Sequence, residues 1–197
     1  MQAYADETYT FDELSESAKE AAREWWRQTY PDYEWWDYVF DMAKAAGECL
    51  GIDVDRIYFS GFGGQGDGAC FEGTYSYNKG WRKALKKEFG GELLAELEKI
   101  GSALQAVQSS AFYKLSANVR QSGHYMHSGC TYINVDHEDR HATDDEDEGI
   151  QEALRDFMDW IYRRLEAEFD WIMSDEQVDE AILANGYEFT EDGAFVR

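Results

Sequence analysis

Val54-Asp55-Arg56-Ile57-Tyr58-Phe59-Ser60-Gly61-Phe62-Gly63-Gly64-Gln65-Gly66-Asp67-Gly68-Ala69-Cys70-Phe71-Glu72-Gly73-Thr74-Tyr75-Ser76-Tyr77 is the stretch that decides the fold. Apolar and polar residues alternate on both sides of a glycine-dense centre. Ile57 and Phe59 before it, and Phe71, Thr74 or Tyr75, and Tyr77 after it, have the period-2 pattern of strands with one buried face. Gly61, Gly63, Gly64, Gly66 and Gly68 let the chain take positive φ or let another backbone approach closely. The stretch therefore predicts a wide, bulged β-hairpin. Its tip, Ser60, Gly61, Phe62, Gln65, Gly66, Asp67 and Gly68, is expected to be structural or an interface. It is no phosphate loop, because it lacks G-x-x-x-x-G-K-[ST] and does not sit in a βαβ unit.

Outward from the hairpin the pattern turns helical. Thr10-x-x-Glu13 has the form of a capping box, with Ser15 as an alternative N-cap. Leu14, Ala18, Ala21, Ala22, Trp25 and Trp26 then make an apolar stripe to about residue 28. Pro31 ends that helix, and a second is expected from about Tyr33 to Leu50, with Trp25, Trp26, Trp35 and Trp36 meeting near the joint. After the hairpin, the basic cluster of Lys79, Arg82, Lys83, Lys86 and Lys87 reads as internal salt bridges or as the edge of the acidic face. A helix follows from Glu92 to about Ser109. A second hairpin is expected, with strands at Phe112–Arg120 and Tyr125–Val135 about a turn at Ser122-Gly123. Ile150 to about Met173 carries Ile150, Leu154, Phe157, Ile161, Leu165, Phe169 and Ile172 at helical spacing, the longest amphipathic helix. Asp192-Gly193 signals a terminal type I′ hairpin. Two hairpins flanked by helices give an α+β fold. It has an antiparallel sheet of about four strands against several helices, in a single domain over 1–197 with an acidic loop over 136–149.

The run Ile57-Tyr58-Phe59-Ser60-Gly61-Phe62, with Gln65-Gly66-Asp67-Gly68-Ala69-Cys70-Phe71-Glu72-Gly73, resembles a family of small acidic proteins from phage and prophage genomes. Some of its members carry the label "antitoxin of a toxin–antitoxin stability system". The resemblance extends through Phe11-Asp12-Glu13-Leu14-Ser15, Asp156-Phe157-Met158-Asp159-Trp160-Ile161-Tyr162 and Tyr187-Glu188-Phe189-Thr190-Glu191-Asp192-Gly193. The family is expected to have a bulkier residue at Gly63. What the resemblance implies is a phage-borne protein; its label implies an antitoxin.

Charge narrows the function further. The 197 residues hold 41 acidic and 18 basic side chains, a formal net charge of −23, and self-repulsion of that size costs stability. Between Asp136 and Glu148, eight of thirteen residues are acidic. Glu152, Asp156, Asp159, Glu166 and Asp170 recur on one helical face. With Asp144, Asp145, Glu146, Asp147 and Glu148 they form an acidic surface suited to the basic groove of a nucleic-acid-binding protein. The expected function is a phage-encoded, non-enzymatic inhibitor of a host defence machine of the CRISPR or restriction type, acting by DNA mimicry. The partner is thus a host protein with a basic surface, and nucleic acid itself is not bound. An antitoxin neutralising a basic toxin is the second reading.

The third is a metal-dependent enzyme using His124, His127, Cys130, His137 and His141. Residues three apart on a strand point to opposite faces, so the two hairpin histidines, His124 and His127, converge only if a turn intervenes; no standard zinc spacing is matched, and no metal or cofactor is expected. Cys49, Cys70 and Cys130 show no C-x-x-C spacing and read as reduced thiols. No apolar run is long enough to span a bilayer and Met1 opens no signal segment, which predicts a cytoplasmic protein without membrane contact.

Overall fold

The computed structural model describes residues 7–29 and 34–197. The chain reads as one domain, and its contacts gather into two compact units. The larger is Asp37–Glu166, and the smaller joins the segment ending at Trp36 to Ala167–Arg197. The fold is α+β.

In the larger unit, strands β2 (Ile52–Ser60), β3 (Gly68–Ser76), β4 (Leu115–Gln121) and β5 (Thr131–His137) form one antiparallel sheet in the order β2-β3-β4-β5. The first hairpin pairs Ile57 with Phe71 and Ser60 with Gly68, and a bulge falls between Val54 and Arg56. Alternation places Ile52, Val54, Ile57, Tyr75, Leu115, Ala117, Val119, Ile133 and Val135 on the buried face. Asp53, Thr74, Ser116, Tyr132 and Asn134 face solvent, the division expected of an antiparallel sheet covered on one side.

Helices cover that face. α2 (Asp37–Leu50) sets Phe40 edge-on to Phe59 at 6.1 Å. α3 (Trp81–Glu88) buries Trp81 and Leu85. Two residues of the basic cluster, Lys86 and Arg82, lie 3.6 and 3.9 Å from Glu98, and both are more than half exposed. α4 (Gly91–Ser110) contributes Gln108, wholly buried, whose amide donates to the Leu115 carbonyl and the Tyr75 hydroxyl and accepts the Leu115 N–H. α5 (Asp144–Ile172) lays Phe157 against Phe71 and buries Leu154, Met158, Trp160, Ile161 and Leu165. Each such side chain contributes about 1.5–3 kcal/mol by leaving water.

The smaller unit holds α1 (Glu16–Thr29), α6 (Asp175–Asn185) and a short ladder of β1 (Tyr9–Thr10) with β6 (Glu188–Phe189). Thr10 donates its N–H and hydroxyl to Glu13, capping a 3-10 turn, while Ser15 accepts the Ala18 N–H and opens α1. Both cap signals are therefore used. Arg23 grips the Asp179 carboxylate through two bonds of 2.6 and 2.8 Å and joins α1 to α6. Trp25 stacks on Phe195 at 4.1 Å and meets Phe189 and Tyr187 edge-on, so this indole belongs to the C-terminal hairpin. Trp35 packs on Trp36 and Phe169.

Several boundaries differ from expectation for identifiable reasons. The segment 136–149 is not one acidic loop: β5 runs to His137 and α5 starts at Asp144. Thr143 and Glu146 make a reciprocal capping box, each side chain accepting the other's N–H, and acids in a first helical turn favour the helix dipole. Strand β4 starts at Leu115, not Phe112, because Phe112 and Tyr113 take left-handed φ values of 54° and 64°. They end α4 as a Schellman-type stop, with the Tyr113 N–H on the Gln108 carbonyl. The second hairpin has a long connection over 122–130, not a turn at Ser122-Gly123. The terminal hairpin is not type I′, which needs two positive φ values. Only Gly193 has one (89°), with its N–H on the Thr190 carbonyl. The expected start of α2 at Tyr33 lies outside the described residues. No helix among the described residues is long and apolar enough to cross a membrane.

Candidate functional site

The hairpin tip is built around Asp67 and Tyr162. The Asp67 carboxylate accepts the Gly64 N–H at 2.6 Å, closing the loop on itself. Tyr162, reaching from α5, donates its hydroxyl to the Gly61 carbonyl at 3.1 Å and stacks its ring on Phe62 at 5.5 Å. Burial, then the charges of Asp67 and Glu166, pushes the Tyr162 hydroxyl above its ordinary pKa, so it remains a donor. Ser60 closes the ladder opposite Gly68, and Gln65 is exposed.

The glycines of the tip have a steric purpose. A Cβ on Gly66 would stand 2.6 Å from the Tyr125 ring, and one on Gly68 would stand 2.5 Å from His127 Cβ and 2.6 Å from its Cα. The 122–130 connection lies directly on the hairpin at Gly66 and Gly68, while Phe157 of α5 covers Phe71 from the other face, and Gly68, Ala69, Cys70 and Phe71 are all buried and break the alternation. The sequence-predicted tip is thus a cradle for the histidine segment.

Within that segment a turn does intervene. A 3-10 turn at Ser128–Cys130 brings Cys130 Sγ to 3.2 Å from His127 Nε2. The strand reading had kept these two apart. His124 stacks edge-on to Tyr125, His137 accepts the Asp139 N–H, and the His141 carbonyl accepts from Arg140. Among the described residues no three His, Cys, Asp or Glu side chains gather as a metal-holding group.

The acidic residues divide into two kinds. Glu146 is not part of the acidic surface. It is buried and held bidentately by Arg140 at 2.6 and 2.7 Å, and Arg140 with the Thr143 N–H holds its carboxyl down at about 2. Asp147 is half-buried and accepts from Gln151. Asp144, Asp145, Glu148, Glu152, Asp156, Asp159, Glu166 and Asp170 are exposed. Partial burial and then the neighbouring Glu152 and Asp159 charges raise the Asp156 carboxyl above its ordinary value, against the opposing Arg163. Arg163 and Arg164 are drawn towards Glu96, at 3.9 and 3.7 Å. A cleft of about 700 Å³ between α2 and β2 adds Asp41, Glu48 and Asp53 to the negative surface, with Lys44 among them.

The model of one protein family, described as Domain of unknown function (DUF8835), matches residues 35–175. The chain belongs to that family. The matched span contains the hairpin tip, the histidine segment and the acidic positions of α5. No curated protein and no solved structure matches the chain.

Proposed function

We propose that this DUF8835 protein is a phage-borne, non-enzymatic inhibitor that occupies the basic nucleic-acid-binding surface of a host defence protein. The observation that carries the reading is the exposed carboxylate run of α5. With Glu146 set aside as neutralised by Arg140, the 29-residue helix has 10 acids against 3 arginines, a net seven negative charges over roughly 43 Å at 1.5 Å per residue. That is one charge per about 6 Å, set beside about 3.4 Å along a single DNA strand. The spacing supports mimicry of one phosphate strand and not of a whole duplex. The phage context rests on the resemblance carried by the hairpin motif.

The test is phage plating on hosts that carry either a CRISPR or a restriction system, with and without the protein expressed. Restored plating that is lost when the exposed α5 acids are neutralised supports the proposal. Protection that appears only against a toxin encoded beside it would support the antitoxin reading instead.

A further inference from the structure

We propose that the Cys130–His127 pair is a thiol-modification site that accepts low-molecular-weight disulfides. The backbone of Cys130 already has its structural partners: its carbonyl accepts from both the N–H and the hydroxyl of Ser122, and its N–H donates to the His127 carbonyl. The side chain adds nothing to that turn. Cys130 is instead half-exposed, with its sulfur 3.2 Å from an imidazole nitrogen of His127.

The orientation of that imidazole decides the chemistry. His127 Nδ1 accepts the Gly129 N–H at 3.1 Å, so the neutral ring carries its proton on Nε2. That proton is aimed at Cys130 Sγ, which makes the sulfur the acceptor. The donor fixes the sulfur beside the imidazole while the half-exposed residue leaves it open to an incoming disulfide, and exchange proceeds by attack of that sulfur once deprotonated. His127 is itself fixed, with its Cα and Cβ against Gly68 and its ring stacked on Tyr125 at 6.2 Å. The other two thiols are opposite in character. Cys49 and Cys70 are buried, and burial pushes both up, Cys70 to about 11.

The reaction is one exchange. Cys130 Sγ loses its proton and attacks one sulfur of the disulfide; the S–S bond breaks, and the departing thiolate takes up the proton. One mixed disulfide and one thiol result, with the incoming disulfide as the only oxidant.

The test uses the full chain with 2-hydroxyethyl disulfide, a neutral probe that the net charge of −23 does not repel. The expected result is a single adduct, mapped by mass spectrometry to Cys130 and absent from Cys130→Ser. His127→Phe should slow it about tenfold, the scale of losing one hydrogen bond to a charged group. His127→Gln, whose amide keeps an N–H donor, should recover most of the rate. Labelling of Cys49 and Cys70 reports whether a variant has opened, and if His127→Phe opens, His127→Ala is compared with His127→Gln instead. The proposal fails if Cys130 reacts no faster than Cys49 and Cys70. It fails equally if removing the His127 donor from a closed protein leaves the Cys130 rate unchanged.

Discussion

Replacing Gln108 by Met keeps the volume of a wholly buried side chain and removes every hydrogen bond it makes. Three groups then lose their partner: the Leu115 N–H at 3.2 Å, the Leu115 carbonyl at 2.8 Å and the Tyr75 hydroxyl at 3.3 Å. A buried polar group left without a partner costs about 1–3 kcal/mol. The hydroxyl rotates and recovers part of its loss, so the sum is about 3–5 kcal/mol. Domains are stable by about 5–15 kcal/mol, which makes this a large share. Urea unfolding followed by circular dichroism should show a lower midpoint with an unchanged slope, and Tm should fall by about 10 °C. Tyr75→Phe alone should cost far less, because it removes a group and strands none in the backbone. In the double variant the two effects should not add, since they share one network. A Gln108→Met loss under about 1 kcal/mol would refute the reasoning and mean that Gln108 does not tie α4 to the first residue of β4.

Phe112 sits at a left-handed φ of 54° while 81% exposed, so Phe112→Gly should stabilise the protein by about 1 kcal/mol in urea unfolding. Tyr113→Gly should gain less, because Tyr113 forfeits its contact with Tyr77 at 4.5 Å. Glu146 has its carboxyl depressed to about 2 by Arg140 and Thr143. A folded pKa below the unfolded one means stability that is fully present above about 4.5 and lost as pH falls through about 2. The stability gap between parent and Glu146→Gln, which keeps a capping side chain, should therefore close over that window. A pH-independent gap would show that the ion pair is not its source. Gly68→Ala should cost about 1–3 kcal/mol by overpacking against His127, measured in the same assay and compared with Gly90→Ala, where a Cβ meets nothing within 4 Å.

The sheet and its covering helices were legible because period and turn chemistry agree there. Ile57, Phe59, Phe71 and Tyr75 alternate, and Leu154, Phe157, Ile161 and Leu165 keep helical spacing. The start of α5 was misplaced although Thr143-x-x-Glu146 stands in the sequence as a capping box. A run of carboxylates reads as solvated loop unless the cap is weighed first. Glu146 was misassigned to the surface for the same reason, since nothing local announces that Arg140 folds back onto it. The His127–Cys130 pair was hidden by treating Tyr125–Val135 as strand throughout; Ser128-Gly129 between them was the turn signal. Phe112 and Tyr113 were unreadable, because aromatic residues at left-handed φ contradict local propensity. The acidic face was legible as composition, but which carboxylates stay exposed depended on tertiary ion pairing.

The central claim is that exposed α5 carboxylates occupy a basic nucleic-acid-binding surface. The direct measurement is competition: displacement of labelled duplex DNA from CRISPR and restriction complexes, at low and at high salt. It compares the parent with a variant combining Glu152→Gln, Asp156→Asn, Asp159→Asn, Glu166→Gln and Asp170→Asn. The account predicts that the parent displaces DNA from its target, that displacement weakens steeply as salt shortens the screening length to about 8 Å and below, and that the folded five-fold variant is at least tenfold weaker. A five-fold variant that competes as well as the parent, at both salt concentrations, would contradict it.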